Sequence, residues 1–236
     1  MNHHKKRIIS KLSIILLESA LELVPQSISN HPAVLKSARK RRKKPTEILL
    51  DVSIHYHAMK NLENKHKRGR PDIVHASLLE ALESPLNKKG YLNVFIHTID
   101  NNVIFIDPTT RIPRNYNRFV GLMEQLLNKG KVPPDSEKPL LYVRTMTIDK
   151  LLKELDTPGF ILLREMCARK SIGDIVKQAI EEKLPIGIGG FPHGDFSEEI
   201  MEKSLYCYSI YDEPLSTLIV VSRIIARAEE VLGILI

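Results

Sequence analysis

Three arginines stand three and four residues apart at Arg111, Arg114 and Arg118, with Pro113 among them and a helical pattern beginning just after. Guanidinium groups at that spacing can fork onto successive phosphates, and the free amides of a helix N-terminus add favourable charge for an anion. With no acidic neighbour in sequence the three cations repel one another. A polyanion resolves that repulsion; salt bridges to distant carboxylates are the alternative. Tyr116 offers a flat face on which a base can stack. A second group is Arg70-Pro71-Asp72. Pro71 fixes its own φ and biases Arg70 toward extended backbone, so both charged side chains are aimed in set directions. Asp72 also suits the N-cap of the helix that follows, and the cap is the simpler of two compatible roles.

The third group is the run Gly189-Gly190-Phe191-Pro192-His193-Gly194-Asp195-Phe196, which follows an apolar segment. Glycines at a strand end let a ligand approach backbone N–H and C=O groups closely enough to read an adenine edge or a ribose. A further loop, Ile210, Tyr211, Asp212, Glu213, Pro214 and Leu215, joins the next strand to the last helix. Two strand-to-helix loops at the carboxyl edge of a parallel sheet form a ligand crevice, against the plainer reading of two tight turns. Pro192 stands where a dinucleotide fingerprint needs glycine, and no Walker loop, G-x-S-x-G or H-E-x-x-H occurs. Cys167 and Cys207 are the only cysteines and have no ligand spacing, so neither a disulfide scaffold nor a structural zinc site is expected. His55, His57, His66, His75 and His97 fall on different elements, which points to structural or surface roles and to no metal.

These groups need a scaffold, and hydrophobic periodicity supplies one. Strands are expected over 11–17, 47–51, 91–98 and 103–107, the last two joined as a hairpin through 100–102. Helices are expected over 19–24, from 31 into the basic run 39–44, within 66–90 and over 119–129. Residues 131–138 read as a loop. From 139 on, strands at 140–143, 160–163, 185–190 and 204–210 alternate with helices at 148–155, 172–183 and 216–232, the pattern of a mostly parallel α/β sheet. Ser171 with Asp174 has the spacing of a helix-start box. The last helix is apolar on most sides, so it is expected to pack on the sheet or on a second subunit.

The chain has 236 residues and a formal charge of +7. The excess suits a polyanionic partner, and the run 39–44 is either a phosphate contact or a solvated helix end. The basic-then-apolar start is interrupted by Glu18 and Glu22, no cleavage site follows, and no apolar stretch approaches the ~18 residues of a membrane helix. A cytoplasmic protein without membrane contact is the expectation.

The segments SALELVP (19–25), EILLDVSIHYHAMK (47–60), RGRPDIVH (68–75), SPLNKKG (84–90), RIPRNYNRFVGLMEQLL (111–127), GGFPHGDF (189–196) and EPLS (213–216) together resemble the Nep/Emg family of ribosome-biogenesis pseudouridine N1-methyltransferases, archaeal type. The resemblance implies an α/β fold of the SPOUT class: a mostly parallel sheet with a C-terminal trefoil knot and a family-specific β/α insertion. In those terms 1–236 is one domain, with an RNA-binding insertion at 66–138 and a knotted cofactor-binding part at 139–236. It further implies N1-methylation of a pseudouridine in small-subunit ribosomal RNA with S-adenosylmethionine, a homodimer, and a place beside other ribosome-assembly factors. Carried over by position, Leu162, Gly189, Gly194, Ile210, Tyr211, Asp212, Glu213, Pro214 and Leu215 fall on cofactor residues. Arg70, Asp72, Arg111, Arg114 and Arg118 fall on RNA-binding residues, with Arg70 and Asp72 at the reacting base. Asp72 is expected to orient that base rather than deprotonate it, because a carboxylate of ordinary pKa ~3.9 is a feeble base toward so weakly acidic an N–H. The spatial demand is that the loops near 190 and 212 meet and that the arginine trio faces the same opening. The alternatives are an assembly factor without catalysis and a ribose 2′-O-methyltransferase.

Overall fold

The computed structural model describes residues 11–235. Its strands are β1 (Leu12–Ser19), β2 (Leu92–Thr98), β3 (Asn102–Ile106), β4 (Lys131–Val132), β5 (Leu141–Thr145), β6 (Phe160–Arg169), β7 (Ile186–Gly189) and β8 (Ser204–Ser209). Its helices are α1 (Pro32–Arg41), α2 (Val52–His55), α3 (Pro71–Glu83), α4 (Pro85–Lys88), α5 (Tyr116–Lys129), α6 (Ile148–Glu154), α7 (Ile172–Glu181), α8 (Glu198–Glu202) and α9 (Thr217–Val231). The strands form one mixed sheet in the order β4-β5-β3-β2-β1-β7-β6-β8. From β2 to β8 all neighbours are parallel, whereas β3, β5 and β4 extend the sheet antiparallel.

The central strand explains the layering. β1 has parallel neighbours on both sides, and its side chains alternate between two cores. Leu12, Ile14 and Leu16 face apolar residues of α3, α5, α7 and α9, while Ile15 and Leu17 face those of α6 and α8. A satellite core of Val34, Ala38, Ile48, Leu50 and Met59 holds the segment between β1 and α3 together. Ser171 caps α7 by accepting the Asp174 N–H, as its spacing anticipates. On α9, Val220, Val221, Ile224, Ile225 and Ala228 are buried while Leu218 and Ile219 remain exposed.

Several expectations are corrected. The helix over 19–24 does not form: Glu18 takes a left-handed φ of +47°, and the chain leaves β1 extended, with Leu23 bridging Leu49. That bridge is all that survives of the strand at 47–51, because Pro45 starts a single 3-10 turn there. The strand at 140–143 is antiparallel, since β3 and not a parallel neighbour is its partner. The two cysteines, whose spacing points to no disulfide scaffold, form a disulfide: β6 and β8 are adjacent parallel strands, which brings the Cα atoms of Cys167 and Cys207 to 5.6 Å. Their separation of 40 residues conceals a pairing that only the sheet creates. The basic run is partly consumed by structure. Arg41 and Lys43 lie 2.8 and 2.7 Å from Glu124, a buried carboxylate on α5 that also accepts the Leu49 N–H. Such a carboxylate is tolerable only when compensated. Arg39, Lys40 and Arg42 stay exposed.

Candidate active site

The carboxyl ends of β6, β7 and β8 lie side by side, and the loops leaving them enclose a cavity of about 310 Å³. Gly189, Gly194, Ile210, Tyr211, Glu213, Pro214 and Leu215 line it, so the loops near 190 and 212 do meet. Leu162 does not reach it. That side chain is buried in the second core, and strand alternation puts Leu163 on the cavity instead. Asp212 is also off the wall, its carboxylate 2.7 Å from Arg169 at the surface.

Backbone contacts fix the 190 loop. Gly190 donates to the Leu17 carbonyl at 2.8 Å and accepts from the Ala20 N–H at 2.9 Å. A Cβ at Gly190 would collide with Ser19, so glycine is required for this close approach to β1. Gly194 adopts φ +99°, open only to glycine without strain. Thr217, at the start of α9, donates to the Gly189 carbonyl at 2.7 Å. Asp195 is gripped by the Arg164 guanidinium, whose hydrogen bonds hold its carboxyl below the usual range. Ser197, which ends the loop, donates to Glu18.

Glu18 is a junction. The left-handed turn aims its buried carboxylate at Lys67 (2.8 Å) as well as at Ser197, tying the 65–67 turn to the 190 loop. Lys67 Nζ also lies 4.6 Å from the centre of the Phe191 ring. Next to it Arg68 forks onto Glu22. Burial pushes the Glu22 carboxyl up despite that cation, and Glu22 in turn raises Arg68. Of these residues only Phe191 lies in a run that the sequence marks as a candidate site. Glu18 and Glu22 stood out there only as charges breaking an apolar run, and that run is a central strand whose end turns toward the site.

A second cavity, of about 520 Å³, lies between the 52–70 segment and the 190 loop. Val52, Tyr56, Met59, His66, Arg68 and Arg70 contribute to it, and Pro192 and His193 close it. Pro192 and His193 line the first cavity too. The two cavities therefore share one wall.

Arg70 reaches this second cavity and is held by Asp72, Nε and Nη2 each donating to one carboxylate oxygen at 2.8 Å. Those hydrogen bonds lower the Asp72 pKa and raise that of Arg70. Asp72 is not the cap of α3. Arg70 occupies the cap position and Asp72 the second helical residue. The arginine trio lies elsewhere. Arg111 and Arg114 line a groove of about 750 Å³ along α3 and α4, and no cavity wall described above includes Arg118. The His75–Pro113 contact (2.7 Å) pins this stretch to α3 and turns it toward the far end of that helix. Arg114 has an acid there, Glu83, at 2.5 Å. Among the described residues Arg111 and Arg118 have no carboxylate partner. Tyr116, expected to stack on a base, is instead half-buried; its hydroxyl donates to Asp51 at 2.6 Å, and burial with that bond pushes its pKa up. His55, His75 and His97 are buried in separate places, while His57 and His66 face the second cavity.

Comparison with known proteins places this geometry in context. Residues 14–229 match the model of the EMG1/NEP1 methyltransferase family. The ribosomal RNA small subunit methyltransferase Nep1 of Staphylothermus marinus is 63% identical over 224 residues, covering 95% of this chain and 97% of its own. That of Saccharolobus solfataricus is 49% identical over 222 residues, covering 94% and 98%. A crystal structure of Archaeoglobus fulgidus Nep1 bound to S-adenosylhomocysteine superimposes with a TM-score of 0.81 at 36% identity, covering 96% of this chain and all of that one.

Proposed function

The chain belongs to the EMG1/NEP1 methyltransferase family, and from that premise we propose that it methylates N1 of a pseudouridine in small-subunit ribosomal RNA, with S-adenosylmethionine as donor. One observation carries the reading: a cavity at the carboxyl edge of the parallel strands shares the Pro192–His193 wall with a second cavity to which Arg70 brings charge. A donor in the first faces a base in the second.

The first cavity suits the donor in its chemistry. Glycine backbone at 189 and 194 admits close approach; Leu163, Ile188, Leu215 and Val220 supply an apolar slot for an adenine, and Glu213 an acceptor for a ribose or an ammonium. S-adenosylmethionine supplies an electrophilic methyl group carried on a sulfonium. Gly189, Gly194, Ile210, Tyr211, Glu213, Pro214 and Leu215 are the residues that hold it, with Leu162 behind Leu163 and Asp212 anchoring the loop to Arg169. Asp72 fixes the guanidinium of Arg70, and Arg70 then stabilises negative charge developing on the base. The target nucleotide must leave its stack, at a cost of a few kcal/mol that is least in a hairpin loop. Arg111, Arg114 and Arg118 hold the flanking phosphates along the α3–α4 groove.

A homodimer belongs to the same proposal. Met166, Leu205, Tyr206, Tyr211, Leu215, Leu218 and Ile219 are large apolar side chains left exposed on the C-terminal elements, Met166 to 75%. Exposed apolar surface of this kind marks an association face. Work beside other assembly factors in the cytoplasm completes the reading. The disulfide does not oppose that location, since intracellular proteins of hyperthermophilic archaea carry such bridges.

The test is transfer of labelled methyl from S-adenosylmethionine into an RNA hairpin containing pseudouridine, against the same hairpin containing uridine, followed by nucleoside analysis. Label in N1-methylpseudouridine only is the expected result. Label in a ribose makes the chain a 2′-O-methyltransferase, and cofactor binding with transfer to neither hairpin leaves an assembly factor.

A further inference from the structure

We propose that the imidazole of His193 accepts the N1 proton of the target pseudouridine as the methyl group arrives. The proposal rests on the function inferred above. As N1 takes the methyl, the carbon–sulfur bond of the donor breaks and its electron pair stays on sulfur. The sulfonium becomes a neutral thioether, and the N1 proton passes to the imidazole, which becomes the cation.

The argument is one of elimination and place. Four carboxylates near the shared wall already carry a cation, Asp72 with Arg70, Glu22 with Arg68, Glu18 with Lys67 and Asp195 with Arg164, and Asp51 is taken up by Ser53 and the Tyr116 hydroxyl. Glu165 and Glu213 line the donor cavity and not the base cavity. The other polar side chains lining the base cavity are Lys60, Lys65, Arg68 and Arg70, which are hydrogen-bond donors only, and Tyr56. That leaves three imidazoles, His57, His66 and His193. Of these only His193 lines both cavities, and N1 and the donor methyl must meet at their boundary. The ring is exposed and has no hydrogen-bond partner within the described residues, so its nitrogens are free for a substrate. Its loop is clamped by Gly190 to β1 and by Glu18 through Ser197, and a Cβ at neighbouring Gly194 would come within 2.9 Å of the His66 ring. The titratable groups that line the two cavities with it are Tyr56, His57, Lys60, Lys65, His66, Arg68 and Arg70 on the base side, and Arg164, Glu165, Asp195, Tyr211 and Glu213 on the donor side. The cations among them favour the negative charge that develops on the base as its N1 proton leaves.

Single-turnover methyl transfer to the pseudouridine hairpin, at saturating donor, is measured for H193A and H193N beside calorimetric Kd values for S-adenosylhomocysteine and for the RNA. A positioned general base contributes about 10²–10⁴-fold, so a loss of about 100-fold is expected in both variants, with both Kd values within about 3-fold and with added imidazole restoring rate to H193A. A loss under about 10-fold, a loss accounted for by weaker binding, no response to imidazole, or the same loss in H66A with His193 variants active would overturn the assignment. Ring ¹⁵N resonances of His193 give a readout without turnover. In the wild-type complex with S-adenosylhomocysteine they shift on adding the pseudouridine hairpin and not on adding the N1-methylpseudouridine hairpin. Equal responses would overturn the proposal as well. Wild-type protein that leaves the pseudouridine hairpin unmethylated defeats the reading of function instead, which keeps the two failures apart.

Discussion

The two sides of the shared wall are built from different materials. The donor side is mostly backbone: short loops at strand ends, glycines pressed against β1, one threonine hydroxyl holding a carbonyl, and a single ion pair, Arg164 with Asp195, on its wall. The base side is side chains, mostly ion pairs, with Arg68 on Glu22, Lys67 on Glu18 and Arg70 on Asp72. Backbone sites are sensitive to volume and indifferent to pH. Charge-built sites tolerate volume, yet depend on partners and on protonation. A substitution therefore reports which side it has struck by the kind of damage it does.

The largest expected effect is on the base side. Arg68→Met leaves Glu22, 3% exposed at its side chain, without its cation. Breaking a buried pair by removing one partner costs about 3–5 kcal/mol. The Glu22 carboxyl is already pushed up by burial in the wild-type protein. A folded-state pKa above the unfolded one means the folded chain binds more protons, so stability is full below the unfolded value and is lost as pH rises through the folded one. Denaturant unfolding of Arg68→Met should thus show a deficit larger at pH 8 than at pH 5. A deficit independent of pH would mean that Glu22 finds another partner.

On the donor side, the Cys167–Cys207 bridge closes a loop with a sequence separation of 40 residues, and its removal costs about 2–4 kcal/mol. The bridge ties β6 to β8 just ahead of the 210 loop. Cys167→Ser with Cys207→Ser should lower the Tm and weaken S-adenosylhomocysteine binding while leaving the RNA Kd unchanged. If RNA binding falls equally, the two sides are not separable in this way.

How far the sequence displayed these two sides follows from the same difference. The donor loops were readable because strand-end glycines have few other uses, and helix and strand periodicity located most elements after residue 70. Leu162 and its neighbour Leu163 point to opposite faces of β6, and only the Leu163 side chain is on the cavity wall. The base side was readable only in Arg70 and Asp72. The partners of Arg68 and Lys67 are Glu22 and Glu18, 46 and 49 residues away, and they meet only because β1 ends in a left-handed turn that no propensity assigns to glutamate. Of the two compatible roles that the sequence offers Asp72, local rules favour the cap, and that is the one the structure does not bear out. Pro71 instead starts the helix one residue earlier, leaving the carboxylate to Arg70. The disulfide and the Arg114–Glu83 pair were invisible for the same reason, being contacts across the fold.

Gly190→Ala probes the backbone side more finely. Its added methyl meets Ser19 and the end of β1, and overpacking of this kind costs about 1–3 kcal/mol. Isothermal titration should find S-adenosylhomocysteine affinity reduced at every pH tested, with RNA affinity retained. A pH-dependent loss would place charge, and not shape, on the donor side.

The smallest effects on stability belong to the arginine trio, and there the comparison is sharpest within one cluster. Arg114 has an exposed partner in Glu83, worth about 0–1 kcal/mol, while Arg111 and Arg118 have none among the described residues. Arg111→Ala and Arg118→Ala should leave the Tm unchanged and weaken the RNA Kd, each reducing the slope of log K against log salt by about 0.7–0.9 if each neutralises one phosphate. Arg114 must release Glu83 before it can serve a phosphate. Arg114→Ala should therefore cost less RNA affinity than either neighbour, and Glu83→Gln should raise affinity in wild type and not in Arg114→Ala. Equal losses at all three positions would mean that the Glu83 pair opens at no cost, and that the cluster behaves as the uniform cationic surface its spacing suggests.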